Sequence, residues 1–168
     1  MIKIRLAKKE HMKAILKLTM EVHNFHIGLY PKKYHAPRKK DLLTGIKSLF
    51  DNPDCRYFIA TENHKIIGYA LVRLISKPGN IMQKPQRHAD IDQMGITKNK
   101  CNKGIGTSLM MRIKKYVYGK GYKTLTLNVM DKNIIAQEAY KSYGFEFVNH
   151  KMELSLKAQY QNNKITET

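Results

Sequence analysis

At 168 residues, 42% hydrophobic and 26% charged, the chain has the size and balance of one folded domain with a real core. No apolar run reaches bilayer-spanning length, and Met1-Ile2-Lys3-Ile4-Arg5 lacks the apolar stretch of a secretory signal. Two cysteines, Cys55 and Cys101, are too few for a disulfide framework, so a reducing cytoplasm is expected. Thirty-one Lys and Arg against thirteen Asp and Glu give a net charge of +18, a field that attracts polyanions but says nothing of fold.

Lys3 to Leu6 alternates like a short strand, and Met12, Ile15, Leu18 and Val22 then repeat at helical spacing from Lys9 to about Val22. His23 to His35, interrupted by Pro31, reads as an ordered loop. Leu42, Leu43, Ile46, Leu49 and Phe50 predict a second helix ending before Asn52-Pro53. Cys55–Thr61 and Lys65–Ile75 are strand-like runs joined by the turn Glu62-Asn63-His64; a loop over 76–87 precedes a strand at His88–Ile96. Ile105, Leu109, Ile113 and Val117 mark a helix that stops at Gly119 or Gly121. Thr124–Val129 is a strand, Asn133–Tyr143 a helix ended by Gly144, and Phe145–Val148 with Lys151–Leu156 a closing strand pair. Residues 157–168 form a polar tail after a domain spanning 1–156.

The stretch Cys101-Asn102-Lys103-Gly104-Ile105-Gly106 follows a strand and opens a helix. Glycines there let a ligand approach the backbone while several N–H groups and the helix dipole favour an anion, with Lys98, Lys100 and Lys103 adding positive charge. A nucleotide-binding P-loop would need Gly-Lys-Ser/Thr, but Gly106 is followed by Thr107-Ser108. A Rossmann site would need its glycines after the first strand of a βαβ unit and an acidic end to the next strand, which here reads Asn128-Val129-Met130.

Downstream, Asn133-x-x-Ala136-x-x-x-Tyr140-x-x-x-Gly144-Phe145 begins just past the next strand. With this second motif the chain resembles the GNAT superfamily of acetyl-CoA-dependent N-acetyltransferases from about Lys3 to Leu156. The family's glycine motif opens its third helix, and its Asn-to-Phe pattern lies on the fourth. The resemblance implies an α/β (α+β) fold: a mixed, mostly antiparallel sheet of about six or seven strands with about four helices. It also implies a cytoplasmic, bacterial-type acyltransferase using acetyl-CoA and no metal, in a family where homodimers are common. In the family's glycine motif Cys101 replaces a Gln or Arg and Asn102 a Gly, a departure expected to weaken the cofactor grip. Cys101 is either a thiol activated by the helix N-terminus or a small filler.

The resemblance gives Tyr140 the role of protonating the departing CoA thiolate; the other reading is an aromatic core residue like Tyr143. Asp92, with Asp90 next, would assist amine deprotonation through water, since a carboxylate with pKa about 3.9 is a poor direct base; both could equally be exposed strand residues. Met94, Gly95 and Ile96 would pair with the pantetheine arm and polarise the thioester carbonyl. Cys101, Asn102, Lys103, Gly104, Ile105, Gly106 and Thr107 would hold the pyrophosphate, and Asn133 would cap its helix and touch the arm. The acceptor, a small-molecule or protein amine, would meet His26, Tyr30 and Tyr34; no Cys or carboxylate completes a metal set with these histidines. The mean field slightly favours a neutral or anionic acceptor unless the cleft is locally acidic. Two rivals are a CoA-binding regulator without catalysis and a basic nucleic-acid or ribosome-associated protein. Scattered lysines without a nucleic-acid motif speak against the latter.

Overall fold

Runs of β-branched and aromatic residues build most of a mixed sheet, and helices cover both of its faces. The computed structural model describes residues 1–101, 103–154 and 156. In chain order the elements are β1 (Ile2–Leu6), α1 (Met12–Leu29), α2 (Lys39–Asp51), β2 (Cys55–Glu62), β3 (Lys65–Lys77), β4 (Gln86–Ile96), α3 (Ile105–Gly119), β5 (Leu125–Leu127) and α4 (Ile134–Ser142). The strands lie in the order β1-β2-β3-β4-β5. The first four pair antiparallel with their neighbours, and β5 runs parallel to β4. The hairpin between β2 and β3 turns at Asn63 and His64, both at positive φ, the twist that two-residue turns between antiparallel strands require.

Each face has its own core. Phe58, Ala60, Ala70, Val72, Ala89 and Ile91 meet Ile105, Leu109, Met110, Ile113 and Val117 of α3. The opposite face packs Tyr57, Ile59, Tyr69 and Leu71 under Ile15, Leu16 and Leu18 of α1 and Ile46 of α2. Successive strand residues therefore alternate between an α3 core and an α1/α2 core.

Three expectations change. The stretch expected as a loop from His23 is helical to Leu29, so His23 and His26 stand on α1. Pro31, which cannot continue a helix, comes two residues later. The strand expected over 124–129 is only Leu125–Leu127, pairing with Ala89–Ile91. Finally, residues 145–154 contain no strand, so the sheet has five strands among the described residues rather than six or seven. Alternation assigns side chains to faces but supplies no partner strand, and Val148 and Met152 are 92% and 93% exposed. Asn102 and the 157–168 tail, both singled out above, lie outside the described residues.

A bulge explains why β5 is short. Leu71 pairs with Gln93 and Val72 with Ile91, which leaves Asp92 as an extra residue in β4. Such an insertion bends a strand and sharpens its twist. Past Ile91, β4 keeps its ladder to β3 but has no partner on the β5 side among the described residues. The two parallel strands part after Ile91, leaving the β5-facing edge of β4 open as a candidate cleft.

Candidate active site

The open edge of β4, residues 92–96, leads into the loop that starts α3. Gly104 precedes the helix with φ +71°, a left-handed conformation that a side chain would strain. Its carbonyl accepts from the Ser108 N–H at 3.0 Å, and no side chain among the described residues caps the helix. The N–H groups of Ile105, Gly106 and Thr107 belong to the first turn and have no intrahelical acceptor. Together with the dipole they form the anion-binding end of α3. Lys98 and Lys103 are exposed beside it, whereas Lys100 pairs with Glu62, whose carboxyl is held below its ordinary range by that contact. Lys100 therefore adds less to the positive field than its position in sequence suggests. Cys101 is exposed, its Sγ 3.7 Å from the Thr97 carbonyl.

Three elements meet at Gly106. A Cβ there would lie 2.7 Å from the Tyr143 hydroxyl oxygen, 3.4 Å from Ile96 Cδ1 and 3.7 Å from Met94 Cε. This glycine is required by close approach: the end of α4 and the end of β4 both close on the first turn of α3. Tyr143 is the residue that the motif reading passed over, although it stands three residues after Tyr140 on the same helix face.

Tyr140 packs among aromatic rings, 6.4 Å from Tyr143 and 5.9 Å from Phe145 between centroids, both edge to face. Burial, with Tyr143 adding, raises its pKa, so the phenol keeps its proton well past neutrality. Its hydroxyl has no hydrogen-bond partner among the described residues. Asn133 caps α4, its Oδ1 accepting from the Ala136 N–H at 3.3 Å.

The other side of the sheet is polar at this level. Asp90 lies between Ala89 and Ile91 and so faces α1 and α2, where its Oδ1 accepts from the Thr126 hydroxyl at 2.7 Å. Asp92, its side chain 26% exposed, pairs with Arg73 Nη2 at 3.1 Å on the same face. Both aspartates therefore share a face, as alternation leads one to expect, although Asp92 is the bulged residue. The Tyr69 hydroxyl donates to Gln93 Oε1 at 3.1 Å. Burial pushes the Tyr69 pKa up to about 12, a Thr19 contact opposing and Asp92 adding. Tyr57 stacks on Phe50 at 4.7 Å, and its buried hydroxyl has no partner among the described residues. Burial, then Tyr69 and Asp92, raise its pKa.

His26, Tyr30 and Tyr34 gather at the end of α1. The Tyr34 ring lies 5.7 Å from His23, 6.0 Å from His26 and 6.4 Å from Tyr30. Burial, then His23, lowers the His26 pKa, which keeps the imidazole neutral. Tyr30 donates to Asp131, whose carboxyl is lowered by that bond, and no hydrogen bond or ion pair among the described residues joins these aromatics to Asp90 or Asp92. Gly95, expected on the cofactor arm, is also a packing contact. A Cβ there would lie 2.4 Å from Val22 Cγ2, so α1 crosses directly over β4. Among the described residues no three His, Cys, Asp or Glu side chains are placed to hold a metal ion, and no helix is long and apolar enough to cross a membrane.

Residues 7–145 match the family described as the acetyltransferase (GNAT) family. No curated protein sequence matches the chain. Among solved structures, a single-substitution mutant of the BH1408 protein from Bacillus halodurans superposes with a TM-score of 0.87 at 19% identity, over 91% of this chain and 98% of that one. A predicted acetyltransferase from Clostridium acetobutylicum, solved with acetyl-CoA, gives 0.73 at 21% identity over 94% and 98%. The aminoglycoside 6'-N-acetyltransferase AAC(6')-IG from Acinetobacter haemolyticus gives 0.71 at 13% identity over 91% and 97%. At such identities the likeness is one of fold.

Proposed function

The chain belongs to the acetyltransferase (GNAT) family, and on that footing we propose that it moves an acetyl group from acetyl-CoA directly to a primary amine in a ternary complex. One observation carries this reading: the uncapped start of α3, the part of β4 without a β5 partner and the end of α4, through Tyr143, converge at Gly106, with Tyr140 packed beside Tyr143.

The N–H groups of Ile105, Gly106 and Thr107 hold the pyrophosphate, with Cys101, Lys103 and Gly104 shaping the loop around it. Because backbone groups do this work, the Cys101 departure from the family pattern leaves the grip weaker but present. Met94, Gly95 and Ile96 offer their unpaired backbone edge to the pantetheine arm, and an N–H from that edge polarises the thioester carbonyl. Asn133, beyond capping α4, touches the same arm. Tyr140 donates its proton to the departing thiolate; a positioned acid of this kind is worth roughly 10²–10⁴ in rate.

The amine arrives from the α1/α2 face. Asp92, held by Arg73, assists its deprotonation through water, and Asp90 is the second candidate. Because Asp92 is paired with Arg73, these carboxylates add little negative field at the acceptor end of a chain of net charge +18, and the mean field slightly favours a neutral or anionic acceptor. His26 and Tyr34 wall the approach for a small-molecule or protein amine.

The test is thiol release from acetyl-CoA across a panel of amines, with pH–rate profiles for Asp92→Asn and Asp90→Asn. Turnover on at least one amine, and a profile displaced in one of the two variants, is expected. Acetyl-CoA binding without thiol release on any amine would make the chain a CoA-binding regulator instead.

A further inference from the structure

The end of α1 is fastened to a loop a hundred residues further along the chain. The Tyr30 hydroxyl donates to Asp131 Oδ1 and accepts from the Lys132 N–H at 2.6 Å. Lys132 Nζ sits 5.2 Å from the Tyr30 ring centroid, and the Tyr34 hydroxyl reaches Met130 Sδ at 3.9 Å. From the other side, Gln137 Nε2 donates to the carbonyls of Met130 at 3.1 Å and Asp131 at 2.8 Å. The Asn133 N–H also donates to the Met130 carbonyl, at 3.0 Å. The segment from Met130 to Asn133, which leaves β5 and starts α4, is therefore gripped between α1 and the first turn of α4.

Two turns before Tyr30, Val22 presses on Gly95 of β4. One helix thus touches both sides of the opening, with ~12 Å of helix between the contacts. That exceeds twice the ~4.8 Å between hydrogen-bonded strands. α1 acts as a strut across the splay.

We infer that Tyr30 is a positioning residue of the acetyl-transfer reaction: through Asp131 and Lys132 it sets the loop that starts α4, and with it the place of Tyr140 two turns later. The effect on rate rests on the acetyltransferase reading above; the effect on the loop does not. Tyr30 has no part in the chemistry itself. Its hydroxyl is already engaged on both sides, as donor and as acceptor.

The experiment compares Tyr30→Phe, Asp131→Ala, their double variant and Asp131→Asn by amide hydrogen exchange and by steady-state kinetics. Tyr30→Phe keeps the ring, its edge contact with Tyr34 and the Lys132 stack, and removes only the hydroxyl. Exchange over residues 131–137 should rise at least about fivefold, the effect of losing one exposed charge-assisted hydrogen bond together with the one from the Lys132 N–H. For the reaction, kcat should fall by about the same factor while KM for acetyl-CoA moves less than about twofold. Asp131→Ala, which leaves the Lys132 N–H bond to Tyr30, should give part of this, the double variant should add nothing beyond Tyr30→Phe, and Asp131→Asn, which keeps an acceptor oxygen, should restore most of the Asp131→Ala loss. Unchanged exchange in Tyr30→Phe, or additive effects in the double variant, would overturn the inference. Absence of thiol release by the unmodified protein would sink the acetyltransferase reading alone, because the exchange and double-variant results still decide the clasp.

Discussion

The two faces of the sheet are built on different terms, and the cleft lies where they meet. Under α3 the packing is apolar, and the chemistry offered there comes from backbone N–H groups, a helix end and one protonated phenol. Under α1 and α2 the same strands bury two tyrosine hydroxyls and set Arg73, Asp92, Gln93 and Asp90 around the bulge. A cofactor common to a whole family needs only what the first face provides, because phosphate and amide groups are recognised by backbone. An acceptor peculiar to one enzyme needs side chains, and those stand on the second face. On the function proposed above, generic and specific recognition would fall on opposite sides of one strand.

The largest expected effect tests the α3 side. Tyr140→Phe should lower turnover by ~100-fold or more while acetyl-CoA affinity stays within about twofold, measured by single-turnover kinetics and calorimetry. In the unmodified protein the raised pKa of Tyr140 puts any alkaline loss of kcat above about pH 10. An unchanged turnover number would make Tyr140 a core aromatic only.

The next effect belongs to the α1/α2 face. A tyrosine whose pKa is raised on folding stabilises the fold while protonated, and this stability is lost as pH climbs from its unfolded value through its folded one. For Tyr69, moved from 10.0 to about 12, the whole loss is about 3 kcal/mol, most of it between pH 10 and 12. Urea unfolding across that window should show it in the parent and much less of it in Tyr69→Phe. Equal slopes in the two would mean that this hydroxyl is not shielded as its burial implies.

The smallest effect concerns Tyr57, whose buried hydroxyl lacks a partner among the described residues. Tyr57→Phe removes that oxygen and should stabilise the fold by about 1 kcal/mol. In a domain of this size the melting temperature should rise about 3 °C. A fall instead would show that the hydroxyl is satisfied, and would mark the pocket above it as wetter than the α3 side.

Much of the α3 side was legible in the sequence because its signals are local. Gly104 must adopt positive φ at one point in the chain, and Asn133 caps a helix through a residue three positions on. The helical faces of α2 and α3 were equally visible as spacing. What escaped depends on residues far apart: the extension of α1 past His23, the shortness of β5, and the missing ladder after Gly144. Each turns on which partner lies alongside, and alternation or propensity within a segment carries no information about that. Arg73 and Gln93 went unremarked for the same reason, and Tyr143 was read only as a core aromatic. Nothing near Arg73 in the chain announces that Asp92 stands across from it.

By itself the sequence determined the family, the layout of two helix layers about a sheet, and the glycines that open α3. Those follow from motifs and periodicities that each fit within about twenty residues. The tertiary structure decided the shape of the cleft. A one-residue bulge at Asp92 parts β4 from β5, Val22 settles on Gly95, and Tyr30 ties the far side down at Asp131. Bends and struts of this kind arise between segments, so their physical cause exists only once the chain is folded.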